Sequence, residues 1–128
     1  MKHRMPALAL ALFFLGSSSL FAQAIIKFEK SSHNFGTFKE KDAQTYVFKF
    51  TNTGDEPLVV QQVFTSCGCV ARSFTKEPVS PGKSGEIKVT YNGKGKMPGK
   101  FSKVITVRTN AKPNVTRLYI EGTMTVDD

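Results

Sequence analysis

The sequence lacks a hydrophobic run long enough to cross a membrane. Its longest uninterrupted apolar stretch, residues 7–15, has nine residues, whereas a transmembrane helix needs about 20. No later stretch is apolar enough for a membrane span. The sequence therefore predicts no integral membrane segment after the N-terminal region, and the short apolar run needs another explanation.

That explanation is an export signal. Residues 2–4 form a basic start, the apolar run follows, and residues 22–24 (Ala-Gln-Ala) have the small-x-small form of a cleavage site. We predict a cleaved signal peptide at residues 1–24 and a single mature domain at residues 25–128. Because no cysteine lies near this junction, a lipid anchor is not expected. The mature chain is predicted to be periplasmic or secreted.

Acidic residues are few relative to basic ones. Loss of Lys2 and Arg4 with the signal would leave 104 of the 128 residues, with 16 basic and 10 acidic side chains and a net charge of +6. Such an excess favours acidic partners, such as phosphorylated or carboxylated envelope polymers. The alternative is an ordinary solvated surface, because most of the lysines are scattered along strand-like runs. Only Lys94, Lys96 and Lys100 cluster, and nucleic acid is not an expected partner after export.

Helical periodicity is also missing from the mature chain. Short runs instead alternate apolar and polar residues, which is typical of half-buried antiparallel strands. Turn signals rich in Gly, Pro and Asn separate the runs every ten to fifteen residues. We therefore predict an all-β, immunoglobulin-like antiparallel β-sandwich of about seven to eight strands. The predicted inward residues are Tyr46, Phe48 and Phe50; Ile87, Val89 and Tyr91; Phe101, Ile105 and Val107; and Leu118, Ile120 and Met124.

Two places depart from simple alternation. The phase slips near Gln61 and Gln62, which predicts a β-bulge immediately before the cysteines. Earlier, residues 25–28 read as a first strand and residues 35–38 as its continuation, after a break at residues 31–32. A strand split in this way could pair with both sheets of a sandwich.

Several short motifs occur together in this chain in a fixed order, and together they resemble domain-of-unknown-function family 1573. The resemblance implies an exported bacterial envelope protein with an immunoglobulin-like sandwich, similar to domains of major sperm protein and of the ASPM, SPD-2 and Hydin proteins. It implies no biochemical role, and Asn34 stands where the family usually has an acidic residue. The motifs are His33-Asn34-Phe35-Gly36, residues 50–58, Ser66-Cys67-Gly68-Cys69, Pro78 with Pro81-Gly82, Gly85-Glu86-Ile87, Gly99-Lys100-Phe101, Asn110 and Gly122.

Cysteine is scarce, and both copies, Cys67 and Cys69, flank one glycine. In a straight strand their Cα atoms would lie about 6.6 Å apart, too far and too parallel for a disulfide. Gly68 could adopt backbone angles that fold the segment into a tight turn. A bridge would then close a very small ring, which is expected to be strained and more easily reduced than an ordinary structural disulfide.

Three interpretations of this pair remain open: two buried cysteines that pack, a local disulfide with a thiol redox role, or a metal site. A closed zinc site needs four ligands, and the mature chain offers only Cys67, Cys69 and His33 before a carboxylate must be used. Reduced copper accepts fewer and softer ligands, so the two thiolates with Met97 or Met124 could bind it. The single mature histidine, His33, is also explained as a turn or edge residue.

The sequence shows neither a pair of carboxylates placed for acid–base chemistry nor a glycine-rich phosphate loop. We therefore expect a non-enzymatic domain without a cofactor that binds a protein or an envelope polymer. Its contacts are predicted in a cysteine loop, Thr65 to Ser73, and a basic loop, Asn92 to Lys100. The alternative is a thiol redox or copper-handling envelope protein that acts through the two cysteines. The candidate loop contacts are Ser66, Gly68, Arg72, Lys94, Lys96 and Lys100.

Overall fold

Alternating apolar residues build eight β-strands in the computed structural model, which describes residues 22–127. Those residues form two sheets and no helix, so none of them forms a helix that could cross a membrane. The basic start and apolar run of the predicted signal peptide lie outside the described residues. The strands are β1 (Ile26–Phe28), β2 (Ser32–Lys39), β3 (Gln44–Asn52), β4 (Val60–Phe64), β5 (Val70–Phe74), β6 (Ser84–Tyr91), β7 (Gly99–Thr109) and β8 (Val115–Thr125).

The strands divide into two four-stranded sheets, with orders β1-β3-β6-β5 and β2-β8-β7-β4. Every pairing is antiparallel except that of β2 with β8, which is parallel. The edge strands β1 and β2 follow each other along the chain at one margin of the sandwich. The edge strands β5 and β4 lie at the other margin. The predicted immunoglobulin-like sandwich is confirmed.

The core lies between the sheets and is formed by the predicted inward rows. Phe48, Ile87, Ile105 and Leu118 are fully buried at its centre, one from each of the four inner strands. Tyr46 and Phe101, at the ends of their rows, are only partly buried against the core. Burial of a large apolar side chain contributes about 1.5–3 kcal/mol, so these rows are the main stabilising feature of the fold.

Both predicted departures from alternation are confirmed. The first strand is split: β1 pairs with β3 in one sheet, and β2 pairs with β8 in the other. The break lies slightly earlier than predicted, because β2 begins at Ser32. The register of β4 against β7 shifts between Val60 and Gln62. This bulge returns Val63 to the core opposite Val107.

Asn52 holds together the end of the sandwich that is remote from the cysteines, a role that the sequence analysis did not predict. Its Nδ2 donates to the carbonyl oxygens of Glu56, at 2.7 Å, and Val79, at 2.9 Å. Its Oδ1 accepts from the backbone N–H groups of Ile25, at 3.3 Å, and Gly54, at 2.9 Å. A buried amide with all these partners stabilises the fold, whereas an unpaired one would destabilise it.

Gln23 and Ala24, which the predicted cleavage position assigns to the signal peptide, pack as part of the folded domain. Ala24 is only 2% exposed. The Gln23 backbone N–H donates to Asp55 Oδ1 at 2.8 Å, and the Asp55 N–H donates back to the Gln23 carbonyl oxygen at 3.0 Å. The position of cleavage remains a prediction, and these contacts are lost if the mature chain begins at residue 25.

Candidate functional site

The chain crosses from one sheet to the other through residues 65–69, here called the cysteine crossover. It leaves the edge strand β4 after Phe64 and enters the edge strand β5 at Val70. The crossover is shorter than the predicted loop Thr65 to Ser73, because residues 70–73 belong to β5. Arg72 is therefore a strand residue, and only Ser66 and Gly68 of the predicted contacts lie in the crossover, both exposed.

A disulfide joins Cys67 and Cys69. Their Cα atoms are 5.2 Å apart, closer than the roughly 6.6 Å of a straight strand, so the segment turns. The Cys67 N–H donates to Thr65 Oγ1 at 3.4 Å, and the Cys69 N–H donates to Cys67 Sγ at 3.2 Å. Cys69 is 7% exposed and belongs to the core, whereas Cys67 is only partly buried against it. The two sulfurs therefore occupy unlike environments.

The turn at Gly68 does not use the conformational freedom of glycine. Gly68 is outside the left-handed region that Gly36, Gly82, Gly95 and Gly99 occupy. A Cβ atom added to it would meet nothing within 4 Å. The hypothesis that glycine is needed here for special backbone angles is therefore wrong for this turn, and another small residue fits the same path.

The basic loop adjoins the cysteine crossover. The Asn92 N–H donates to the Cys69 carbonyl oxygen at 2.9 Å, directly beyond the pairing of Val70 with Tyr91. Within the loop, the Lys94 N–H donates to Asn92 Oδ1 at 3.1 Å. The structure thus brings the two predicted contact regions together at one end of the sandwich.

The lysine side chains of the basic loop are exposed to solvent. Lys94, Lys96 and Lys100 are all exposed, although Lys100 lies at the start of β7 rather than in the loop. The Gly95 N–H donates to Glu40 Oε2 at 2.8 Å, so one carboxylate from the β2–β3 loop fixes the backbone between two lysines. Glu40 is a residue of this surface that the sequence did not indicate, since an acid in a loop carries no distinctive pattern. Asn92 was predicted as the start of the basic loop, but its hydrogen bond to Cys69 was not.

An open strand edge adjoins the same surface. Among the described residues, no strand pairs with the side of β5 that faces away from β6. Arg72 extends from β5 across the margin, where its Nε donates to the Val63 carbonyl oxygen of β4 at 3.0 Å. An unpaired edge presents backbone N–H and C=O groups that an extended peptide can bind.

His33 lies at the opposite margin, on β2, and is not brought together with the cysteines. Its ring stacks on Tyr46 with centroids 3.8 Å apart, and it meets the edge of Phe35 at 4.9 Å. Its buried Nδ1 has no hydrogen-bond partner. Burial, with a smaller contribution from the positive charge of Lys30, lowers the pKa of His33 below its ordinary value of 6.5.

Within residues 22–127, no group of three or more His, Cys, Asp and Glu side chains is placed to hold a metal ion. The two methionines considered as copper ligands have opposite environments. Met97 is 89% exposed in the basic loop, and Met124 is 2% exposed in the core. While Cys67 and Cys69 form the disulfide, neither has a free thiolate with which to bind a metal ion.

The two sheets and their strand order define an immunoglobulin-like β-sandwich. PapD-like domain 7 of human CEP192, an ASH domain, superposes with a TM-score of 0.67 at 9% identity, over 96% of this chain and 100% of that domain. The chain belongs to the family described as "Protein of unknown function (DUF1573)", which matches residues 26–124. The predicted family resemblance is confirmed. No curated protein matches the sequence.

Two further solved structures share the fold. A protein of unknown function from Porphyromonas gingivalis W83 has a TM-score of 0.69 at 13% identity over 80% of this chain. The match covers 47% of that protein, so this chain spans about half of its length. The periplasmic chaperone SfaE has a TM-score of 0.52 at 10% identity, over 80% of this chain and 58% of the chaperone. At these identities the likeness shows the fold alone.

Proposed function

We propose that this protein is an exported, non-enzymatic binding module that engages a protein or an acidic envelope polymer at the cysteine end of its sandwich. The observation that carries the proposal is the hydrogen bond from the Asn92 N–H to the Cys69 carbonyl oxygen. This hydrogen bond joins the cysteine crossover and the basic loop into one continuous surface.

Charge and backbone geometry support this surface as a binding site. Lys94, Lys96 and Lys100 supply exposed positive charge, which attracts an acidic partner over a long range. The open edge of β5 lies beyond Val70, which pairs with Tyr91 just before the basic loop, and it offers main-chain hydrogen bonds to an extended segment. A periplasmic chaperone among the proteins of the same fold supports an extracytoplasmic location and a protein partner.

The test compares two variants that remove the same charge. One replaces Lys94, Lys96 and Lys100 with alanine at the cysteine end. The control, called the sheet variant, replaces Lys27, Lys49 and Lys83, which are exposed and do not pair with β5. Partners are captured by cross-linking in the producing cells. Competition by poly-glutamate then measures the binding of acidic polymer.

We expect the loop variant to capture no partner and to show no competition by poly-glutamate, because it removes the charge at the contact. We expect the sheet variant to keep both, since its lysines lie outside the contact. If both variants keep every captured partner at wild-type strength, the placement of the binding surface is wrong.

A second candidate function is thiol redox or copper handling at Cys67 and Cys69. The observation that favours it is the disulfide between them, in which Cys67 is only partly buried and Cys69 is buried in the core. Copper binding would require reduction of this bond first, followed by recruitment of a ligand such as Met97. His33 has no part in this candidate, because it lies at the other margin of the sandwich.

A further inference from the structure

The Cys67–Cys69 disulfide is asymmetric in its access to other molecules. Cys69 is buried in the core, and its carbonyl oxygen is held by Asn92. Cys67 is only partly buried and lies between the exposed residues Ser66 and Gly68. An incoming thiolate therefore has an approach to the sulfur of Cys67 that it lacks to the sulfur of Cys69. Access to the attacked sulfur is one of the determinants of exchange rate.

The surroundings also favour negative charge on Cys67 over Cys69. The Cys69 N–H already donates to Cys67 Sγ at 3.2 Å, and such a donor stabilises a thiolate on the same atom. Lys94 and Lys96 are exposed in the loop that is hydrogen-bonded to the crossover, and they add positive potential. A thiolate on the buried Cys69 would lose hydration without an equivalent donor, so Cys69 must take a proton as it leaves. The stabilised thiolate of Cys67 makes Cys67 a good leaving sulfur when a mixed disulfide is resolved.

The small size of the bridged ring adds a driving force for exchange. Only Gly68 separates the two cysteines, so the disulfide links near neighbours and crosslinks no pair of strands. A bridge over so short a segment removes little conformational entropy from the unfolded chain, and it holds the folded chain in a tight turn. Opening it therefore leaves both sheets intact.

We propose that the Cys67–Cys69 disulfide oxidises a dithiol segment of another exported protein, with Cys67 as the sulfur that exchanges and Cys69 as the leaving sulfur. This inference rests on the second candidate function and specifies its substrate class. The substrate is an extended, acidic segment with two thiols. Its acidic side chains would meet the basic loop, and its backbone would lie along the open edge of β5.

The exchange balances in two steps. A substrate thiolate attacks Cys67 Sγ and forms a mixed disulfide, the bond to Cys69 Sγ breaks, and Cys69 leaves with the electron pair and takes a proton from water. The second substrate thiolate then attacks the substrate sulfur of the mixed disulfide, which forms the substrate disulfide and releases Cys67 as a thiolate. Cys67 then takes a proton from water. Counted from dithiol to dithiol, the substrate loses two electrons to the protein, and the two protons are exchanged through water.

The experiment mixes the oxidised full domain with a reduced synthetic peptide that carries two cysteines flanked by glutamates. Acid quenching and peptide mapping by mass spectrometry identify which cysteine holds the peptide in the trapped mixed disulfide. In parallel, the single thiols of Cys69→Ser and Cys67→Ser react with an aromatic disulfide, and circular dichroism checks that both variants are folded.

We expect the peptide on Cys67, and we expect the thiol of Cys69→Ser to react at least about tenfold faster than that of Cys67→Ser. A peptide attached to Cys69, or equally to both, overturns the assignment of Cys67 while leaving the redox candidate standing. A disulfide that exchanges only after unfolding in urea overturns both. The binding proposal is tested separately, by the lysine variants.

Charge reversal tests the substrate class. Lys94→Glu with Lys96→Glu is expected to slow exchange with the acidic peptide much more than exchange with a small neutral dithiol. Both reactions lose the positive potential near Cys67, but only the peptide also loses its charged contact. The matched control, Lys27→Glu with Lys49→Glu, changes the net charge equally on β1 and β3, the two strands of the β1-β3-β6-β5 sheet that do not pair with β5, and is expected to slow neither. Equal slowing by both pairs overturns the assignment of the basic loop as the substrate contact.

Discussion

The Nδ1 atom of His33 is buried without a hydrogen-bond partner, and this environment determines the protonation state of the ring. Its ring is held between Tyr46 and Phe35 at the β2 margin, and the buried Nδ1 is unsatisfied. Lys30 carries a positive charge over the same aromatic stack, 5.2 Å from the centroid of the Tyr46 ring. These contacts favour the neutral imidazole, which suits an edge residue that packs and disfavours a role as a proton donor.

This environment predicts a loss of stability at mildly acidic pH. The folded-state pKa of His33 is lowered below 6.5, so above pH 6.5 both folded and unfolded chains hold a neutral ring. As the pH falls from 6.5 towards the folded pKa, the unfolded chain binds the proton more readily, and the free energy of unfolding decreases. Urea unfolding between pH 7 and about 5.5 measures the slope.

His33→Phe provides the control, because it keeps an aromatic ring on Tyr46 and removes the titrating group. We expect its free energy of unfolding to change less over the same pH range than that of the wild type. Parallel pH profiles of the two proteins would show that His33 does not contribute.

At the scale of structural elements, β1 depends on a close approach between two backbone segments. The loop after β3 passes so near the N-terminal segment that a Cβ atom at Gly54 would collide with the Gln23 carbonyl oxygen. It would also lie 2.7 Å from the Ile25 nitrogen. Backbone atoms cannot move aside as a flexible side chain can, so glycine is required here by space rather than by its dihedral angles.

We therefore predict opposite outcomes for two Gly→Ala changes. Gly54→Ala should lower the free energy of unfolding by about 1 to 3 kcal/mol, because the N-terminal segment must shift from its place beside Asn52. Gly68→Ala should change it by less than about 0.5 kcal/mol, because its Cβ would face open space. Urea denaturation of both variants measures the difference. Equal losses would contradict the assigned close approach.

At the scale of the whole molecule, stability comes from the two sheets and the core between them. The disulfide lies at one end and bridges residues only two apart in sequence. A chain-entropy argument gives at most about 1.5 kcal/mol for so short a loop. The disulfide therefore contributes little to the stability of the sandwich, so it can be reduced without unfolding the domain.

Reduction of the wild-type protein is accordingly expected to lower the free energy of unfolding by no more than about 1.5 kcal/mol. Urea unfolding with and without a thiol reductant measures this. A Cys67→Ala, Cys69→Ala variant should show no response to the reductant and serves as the control. A loss of several kcal/mol on reduction would identify the pair as a structural brace instead.

Local pattern predicted most of the architecture. Inward rows such as Phe48 with Phe50 follow from the two-residue period of a strand, and the slipped phase at Gln61 predicted the bulge. The turn at Gly68 was predicted for the wrong reason, because sequence shows that glycine permits unusual angles but not whether a turn uses them. The hydrogen bonds of the Asn52 side chain were not predicted, because its partners lie in separate segments of the chain.

The sequence by itself determined the fold class, the split first strand and the cysteine pair, because each depends on the order and spacing of residues along the chain. Only the tertiary structure decided that the cysteine crossover meets the basic loop, that Cys67 is more accessible than Cys69, and that His33 lies at the far margin. The physical reason is that burial and hydrogen bonding between distant segments depend on how strands pair across two sheets. That pairing joins residues far apart in sequence.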